Sequence, residues 1–226
     1  MKQIKLFIFD MDGTLYYLGD LIRSGFDTSV SFLKEYLGMT KAEAISFLNE
    51  NHIYPYLSKE AKSTTQLFNT KGYDIDKWNE YRSQHFPYED INIDNAIKEA
   101  TLLSFKQIAP IVLLTNNTPT NIQKVLKQIH INQDIFEKIV INEQTDGHSS
   151  KRYAMEKLVQ EYNLETDNVL SIGDRYDVDA LPMLEIGGKA LIIEHPLYLK
   201  EIINDWPNLK TNEKYAYYEA YSSNNQ

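Results

Sequence analysis

Cysteine is absent from the chain of 226 residues. This absence excludes disulfide frameworks, thiol nucleophiles, iron–sulfur clusters and zinc sites with cysteine ligands. Long apolar runs are also absent: the stretch at residues 4–9 contains a lysine and is far shorter than the roughly 20 residues of a membrane-spanning helix. It is also too short and too polar for a secretory signal peptide. We therefore expect a cytoplasmic protein that does not span a membrane.

Positive charge is scarce as well. Only 23 lysines and arginines face 32 acidic residues, and the resulting net charge of −9 repels nucleic acids and anionic membrane surfaces. We therefore expect neither as a partner. The hydrophobic fraction of 42% is that of an ordinary globular protein. The length fits one large domain with a smaller insert, which we expect to be a monomer or a homodimer.

The chain contains five short apolar runs of the kind that form buried strands of a parallel sheet. They lie at residues 4–9, 111–114, 138–141, 169–172 and 190–193. Helix start signals stand between them, at Asp94, at Thr118-Pro119 and at Ser149-Ser150. Alternating strands and helices predict an α/β fold with a doubly wound, mainly parallel sheet, whose ligands bind at the carboxyl ends of the strands.

Residues 17–90 differ, because they contain no convincing strand and several helix signatures. Thr40 to Glu43 form a capping box, Ser58 precedes a run that ends at Gly72, and Asp74 begins another. We therefore predict a small helical domain inserted after the first strand. The expected division is a core of residues 1–16 and 91–210, the helical insert at 17–90, and a polar, tyrosine-rich tail at 211–226 whose end frays.

The first strand delivers two carboxylates, Asp10 and Asp12, into the turn that follows it. Residues two apart lie on the same side of an extended chain. One carboxylate can attack phosphorus, and a second one nearby can protonate the leaving oxygen and then deprotonate a water. An acid-rich turn at the end of a strand is the structural alternative.

Three further segments place polar groups where a strand ends or a helix begins. The second strand runs into Thr115 and Asn116, which can bind a ligand at the end of the strand. The structural alternative is that they form a loop before a helix cap. Lys151 follows at a predicted helix start, where its positive charge can neutralise an anion. The structural alternative is an ordinary solvated lysine on the surface. The fourth strand is followed by the segment Gly173–Asp179, whose acids offer the oxygen ligands that Mg²⁺ prefers. Alternatively, these acids only stabilise the positive N-terminal end of a helix. We interpret Asp177 as a helix cap.

These four motifs, in this order along the chain, resemble those of the haloacid dehalogenase-like (HAD) hydrolase superfamily. The resemblance implies a Rossmann-like core with a helical cap inserted after the first motif. It implies that Asp10 is the nucleophile and that Asp12 is the general acid and base. It also implies that Thr115, Asn116 and Lys151 hold the phosphate of a small phosphorylated metabolite.

The resemblance further implies Mg²⁺ as cofactor. The ion would contact Asp10, the backbone carbonyl of Asp12, and Asp174. Asp179 would stand behind these ligands and orient a metal-bound water or the lysine. Arg175 would touch the substrate or, alternatively, form a surface ion pair. Carboxylates packed this closely would raise one another's pKa without a cation, which favours a bound metal.

The activity that the resemblance implies is hydrolysis of a phosphate monoester, because dehalogenases of the superfamily do not need the acid at Asp12. A phosphomutase of the same fold and a catalytically silent binding or regulatory member are the alternatives. A dinucleotide-binding oxidoreductase would need a glycine-rich first turn, which this chain lacks. The opening DMDGTLYY and the segment Phe86–Asp90 resemble the pyrimidine 5'-nucleotidase-like branch. A nucleoside monophosphate or a sugar phosphate is the expected substrate. Tyr54 and Tyr56 would stack on a base or, as is more common for aromatic residues of a small helical domain, fill the core of the insert.

Overall fold

The computed structural model describes residues 3–55, 62–142 and 151–220, which fold around one six-stranded sheet. Its strands are β1 (Leu6–Phe9), β2 (Ile111–Thr115), β3 (Lys138–Ile141), β4 (Val169–Gly173), β5 (Lys189–Ile193) and β6 (Tyr215–Glu219). Their spatial order is β3-β2-β1-β4-β5-β6. All neighbouring pairs are parallel except β5 and β6. The predicted doubly wound, mainly parallel sheet is confirmed.

Both faces of β1 are buried, because helices cover the sheet on either side. Phe7 and Phe9 belong to a hydrophobic cluster that includes side chains of α5, α6 and α9, whereas Leu6 and Ile8 pack with side chains of α7 and α8. These helices are α5 (Glu99–Lys106), α6 (Pro119–Gln128), α7 (Arg152–Glu161), α8 (Leu181–Glu185) and α9 (Leu199–Asp205). A strand covered on two faces needs a continuous apolar run, as the first apolar run of the sequence has.

The order of the strands reverses direction next to β1. From β1 the chain continues to β2 and β3 on one side, and then crosses to β4 and β5 on the other. The carboxyl ends of β1 and β4 therefore flank the topological switch point, where an open α/β sheet has its ligand crevice.

Four helices lie between β1 and α5 and share a hydrophobic cluster that includes Phe32, Phe68 and Trp78. They are α1 (Ile22–Leu37), α2 (Lys41–Glu50), α3 (Thr64–Thr70) and α4 (Ile75–His85). The predicted capping box at Thr40 is confirmed, and so is the helical run that follows Asp74, whose side chain caps α4. Ser58 lies outside the described residues, and the cap of α3 is Ser63. No helix of the described residues has the length and apolar composition of a membrane span.

Two sequence predictions are wrong in detail. Residues 93–95 form a 3-10 turn instead of beginning a helix at Asp94, and α5 begins only at Glu99. The segment that we assigned to a polar tail contributes β6, which pairs antiparallel with β5 along its whole length. An antiparallel edge strand needs no continuous apolar run, so a polar, tyrosine-rich segment can form it. Ser149, Ser150 and the end of the tail from residue 221 lie outside the described residues.

The aromatic packing of β1 against α5 gives a test of the core. The Phe105 ring is fully buried and meets the rings of Phe7 and Phe9 edge-on, both at 5.2 Å between centroids. We expect Phe105→Ala to lower the free energy of unfolding by about 3–5 kcal/mol, because it leaves a cavity. Leu103→Ala in the same helix is the control, since Leu103 is 45% exposed. Equal urea midpoints for the two variants would contradict this packing.

Candidate active site

The acids of the first and fourth motifs meet at the switch point. The strand pairing continues past β1, because the Asp10 N–H donates to the carbonyl of Ile172 at 2.9 Å. Asp174 follows the end of the neighbouring strand β4. Carboxylate oxygens of Asp10, Asp174 and Asp179 lie within 4.8 Å of one another. Residues separated by more than 160 positions in the sequence therefore form one acidic cluster, as far as the described residues show.

Two glycines make room for this cluster. Gly13 has a φ of +79°, and a Cβ there would overlap the Asp174 carboxylate. A Cβ on Gly173 would overlap the carboxylate of Asp179. Because neither residue has a side chain, the carboxylates pack directly on backbone. The glycines of the first and fourth motifs thus explain how the acids approach so closely.

Lys151 lies among the acids, at the start of α7. Its Nζ is 2.5 Å from Asp10 Oδ1 and 2.8 Å from Asp179 Oδ1. The Lys151 side chain is only 2% exposed, so it is not a solvated surface lysine. The second oxygen of Asp179 accepts a hydrogen bond from the Arg175 N–H at 3.1 Å. Both oxygens of Asp179 are therefore engaged, and its contacts fix the ammonium group beside Asp10.

The charges of this cluster do not balance. Burial raises the pKa of Asp10 to about 7, with Asp179 and Asp12 adding to the rise and Lys151 opposing it. Burial, together with Asp10 and Asp179, raises the pKa of Asp174 well above its usual value. Burial alone would lower the pKa of Lys151, but Asp10 and Asp179 outweigh it and raise that pKa. One ammonium group thus faces three carboxylates, leaving two negative charges uncompensated when all are ionised.

A divalent cation fits this donor set. Carboxylate oxygens are the ligands of hard cations such as Mg²⁺, which is commonly held by one or two carboxylates plus waters and substrate phosphate. A cation would favour the ionised forms of Asp10 and Asp174, whose pKa values are raised by burial and by the neighbouring carboxylates. Of the predicted metal ligands, Asp10 and Asp174 belong to this cluster, together with Asp179. The Asp12 side chain does not belong to it, and the role of the Asp12 backbone carbonyl as a ligand stays a prediction.

The carboxylate of Asp12 has different neighbours. Its Oδ1 accepts a hydrogen bond from the Tyr16 hydroxyl at 2.5 Å, and its Oδ2 accepts one from the Asn117 amide at 3.0 Å. Burial, with the charge of Asp12, raises the pKa of Tyr16 well above its usual value, so the phenol stays protonated. Neither partner of Asp12 is predicted from the sequence. In the sequence they stand out only as polar residues close to a motif: Tyr16 lies in the DMDGTLYY opening, and Asn117 directly follows Asn116.

The end of β2 brings the second motif to the same edge. Thr115 is fully buried, and its Oγ1 accepts a hydrogen bond from the Asn117 N–H at 3.1 Å. The hydroxyl proton of Thr115 is not used in that bond, because the oxygen is the acceptor. Asn116 accepts a hydrogen bond from Asn142 at 2.7 Å. The roles of Thr115 and Asn116 in binding phosphate stay predictions.

The Arg175 side chain points to a surface partner. Its guanidinium pairs with Asp177 at 2.6 Å, and both side chains are substantially exposed. This is the surface ion pair that we gave as an alternative to substrate contact. Asp177 lies in a π-helical turn, Tyr176–Ala180, and caps no helix, so its interpretation as a cap is wrong. The turn returns Asp179 to the cluster while Asp177 faces solvent.

The helical insert adds a cation that the sequence analysis did not identify. Arg82 of α4 lies over the ring of Phe86, 5.2 Å from its centroid, and hydrogen-bonds with Tyr88. Burial opposes the charge of Arg82, but Tyr88, Asp12 and Tyr16 outweigh it and raise the pKa of the guanidinium. The Tyr88 hydroxyl also accepts a 3.4 Å hydrogen bond from Asn117. The insert therefore meets the core beside Asp12.

The role of Tyr54 and Tyr56 in stacking on a base stays a prediction. The Tyr54 hydroxyl is hydrogen-bonded to His52, and Tyr56 lies outside the described residues.

The model of the haloacid dehalogenase-like hydrolase family matches residues 4–187. The chain therefore belongs to this family, as the order of its motifs predicts. No curated protein sequence matches the chain significantly.

Solved structures share the fold at low sequence identity. The HAD phosphatase from Thermococcus onnurineus is 16% identical, with a TM-score of 0.61 over 88% of this chain and 98% of that one. The putative HAD-hydrolase YfnB from Bacillus subtilis, described as bound to magnesium, is 15% identical, with a TM-score of 0.55 over 90% and 100%. The 2-haloacid dehalogenase from Pseudomonas syringae is 16% identical, with a TM-score of 0.51 over 90% and 100%. Similarity at this level establishes the fold, which phosphatases and dehalogenases share.

The unbalanced charge predicts an unusual response to Asp174→Asn. Removing one carboxylate relieves repulsion, so we expect the metal-free variant to melt at the same temperature as the metal-free parent or higher. We also expect the variant to lose most of the stabilisation that millimolar Mg²⁺ gives the parent protein, because a ligand is missing. Differential scanning calorimetry with Mg²⁺ and with EDTA measures both effects. An unchanged Mg²⁺ stabilisation in the variant would contradict the assignment of Asp174.

Proposed function

We propose that the protein is a Mg²⁺-dependent phosphatase that hydrolyses a small phosphate monoester through an aspartyl-phosphate on Asp10. One observation carries the proposal: Asp10 is paired with buried Lys151, while Asp12, two residues later, is held separately by neutral donors. Carbon–halogen cleavage does not require this second acid. Phosphate transfer uses it twice, once to protonate the leaving oxygen and once to activate water.

The residues of the site divide the reaction between them. Asp10 Oδ attacks phosphorus, and Lys151 offsets the charge of the nucleophile and of the phosphate. Asp12 gives its proton to the departing oxygen, and then takes a proton from the water that hydrolyses the aspartyl-phosphate. The Thr115 hydroxyl donates a hydrogen bond to a phosphate oxygen. Mg²⁺, when bound at Asp10 and Asp174, would supply additional positive charge to the phosphate oxygens.

We assign substrate selection to the helical insert. Its helices lie between β1 and α5, and Arg82 and Tyr88 bring its end beside the acid that meets the leaving group. A lid in this position would exclude water and contact the leaving group. A nucleoside monophosphate or a sugar phosphate, encountered in the cytoplasm, is the substrate class that we propose.

Asp10→Asn tests the chemistry directly. We expect the variant to lose p-nitrophenyl phosphate hydrolysis by more than about a thousandfold, because the nucleophile is gone. EDTA should abolish the activity of the parent protein, and Mg²⁺ should restore it. Asp177→Asn is the matched control, since Asp177 pairs with Arg175 at the surface, and its activity should stay within about twofold of the parent. Substantial turnover by Asp10→Asn would overturn the proposal.

A panel of phosphate esters separates the remaining activities. We expect stoichiometric release of inorganic phosphate from at least one nucleoside monophosphate or sugar phosphate in the presence of Mg²⁺. A mutase would instead return an isomeric phosphate ester, visible by phosphorus NMR, with little free phosphate. Release from sugar phosphates with none from nucleotides would remove the nucleotide as a candidate substrate.

A further inference from the structure

We propose that Tyr16 and Asn117 are positioning residues that hold the Asp12 carboxylate for proton transfer, with Oδ2 as the oxygen that exchanges the proton. This inference rests on the proposed function, in which Asp12 is the general acid and base. Tyr16 and Asn117 are not among the residues to which the family motifs assign a role. Neither residue touches the acidic cluster of Asp10, Asp174 and Asp179 through a described hydrogen bond.

The first support is the geometry of the two donors. The Tyr16 hydroxyl donates to Asp12 Oδ1 at 2.5 Å, and the Asn117 amide donates to Oδ2 at 3.0 Å, with a longer approach of 3.3 Å to Oδ1. A carboxylate offers about four lone-pair positions on its two oxygens. Two of these contacts fall on Oδ1 and one on Oδ2, so a lone-pair position remains on Oδ2 for the proton.

The second support is that the Asn117 amide has a fixed orientation. Its Oδ1 accepts hydrogen bonds from the Asn121 amide at 2.7 Å and from the Thr118 N–H at 3.0 Å. The carbonyl oxygen therefore faces α6, and the amide NH₂ must face Asp12. Asn117 is 3% exposed and Asn121 only 1% exposed. A buried amide with both ends engaged is a rigid support for the carboxylate.

The third support is the place of Tyr16 in the chain. Tyr16 is 1% exposed, and its backbone bridges both to Asp12 and to Ala96. The Ile97 N–H next to that bridge donates to the Leu15 carbonyl at 2.8 Å. Tyr16 is thus fixed where the chain leaves the core for the helical insert and where it returns. Its hydroxyl holds Asp12 from this doubly anchored position.

These contacts explain how two nearby acids perform different roles. Asp10 is paired with a cation, which suits a nucleophile that must be ionised. Asp12 is paired with neutral donors, which hold its side chain without an ion pair that would compete for the proton. Without Tyr16 and Asn117, Asp12 would be free to leave the position that faces the leaving group.

The test compares two esters that differ in their need for a general acid. The value of kcat/KM reports phosphorylation of the enzyme, for which phenyl phosphate needs a proton on its leaving oxygen far more than p-nitrophenyl phosphate does. For Tyr16→Phe we expect kcat/KM to fall about ten- to a hundredfold with phenyl phosphate, and several-fold less with p-nitrophenyl phosphate. Asn117→Ala should change the ratio in the same direction and decides the matter if Tyr16→Phe does not fold.

Tyr81→Phe is the matched control. Tyr81 is a buried tyrosine of the insert whose hydroxyl donates to Glu35 at 2.9 Å, and we assign it no role in the reaction. Its kcat/KM values should fall equally, if at all, with both esters. An unchanged ester ratio in both Tyr16→Phe and Asn117→Ala would overturn the positioning role while leaving the phosphatase intact. Failure of the parent protein to hydrolyse either ester, or full activity of Asp10→Asn, would overturn the proposed function and this inference with it.

Discussion

The contact of one buried ammonium group with two carboxylates is the interaction on which the site depends. Lys151 lies between Asp10 and Asp179 and is almost completely buried. Removing a charged group from water is costly, and a buried ion pair repays that cost only with good geometry and further hydrogen bonds. The three acids exceed this ammonium group by two negative charges when all are ionised, an excess that one divalent cation would offset. A cation bound there would therefore stabilise the folded site.

The fold makes this concentration of charge possible. Strands β1 and β4 are neighbours although about 160 residues separate them, because the strand order reverses beside β1. An acid follows each strand directly, Asp10 after β1 and Asp174 after β4, and Gly13 and Gly173 allow carboxylates to pack on bare backbone. Apolar residues on both faces of β1 anchor this strand in the core and so fix the position of the acids that follow it. The repulsion between the closely packed carboxylates lowers the stability of the fold, and the buried apolar core offsets this loss.

Much of this arrangement could be predicted from the sequence, for a physical reason. Buried parallel strands require continuous apolar runs, so β1, β2, β4 and β5 could be recognised, and acids after such strands must converge at one edge. The edge strand β3 also has an apolar run, although its residues are exposed or only partly buried. The antiparallel edge strand β6 lies partly exposed, so its polar composition resembled a tail. Tyr16 and Asn117 could not be identified because ordinary side chains acquire a role only through tertiary contacts. The direction of the Asn117 amide depends on Asn121, one helical turn away, and no local pattern specifies it.

The residues that hold Asp12 lie where the helical insert joins the core. Its hydrogen-bond partner Tyr16 begins the excursion of the chain into the insert, and Tyr88, which contacts Asn117, lies where the chain comes back. A movement of the insert about these segments would therefore act on the supports of Asp12, which we propose as the general acid. Asp10, the proposed nucleophile, is held instead by its ion pair with Lys151 and by its backbone hydrogen bond to Ile172. Changes in the insert would thus alter the supports of the proposed acid and leave these two contacts of the proposed nucleophile unchanged.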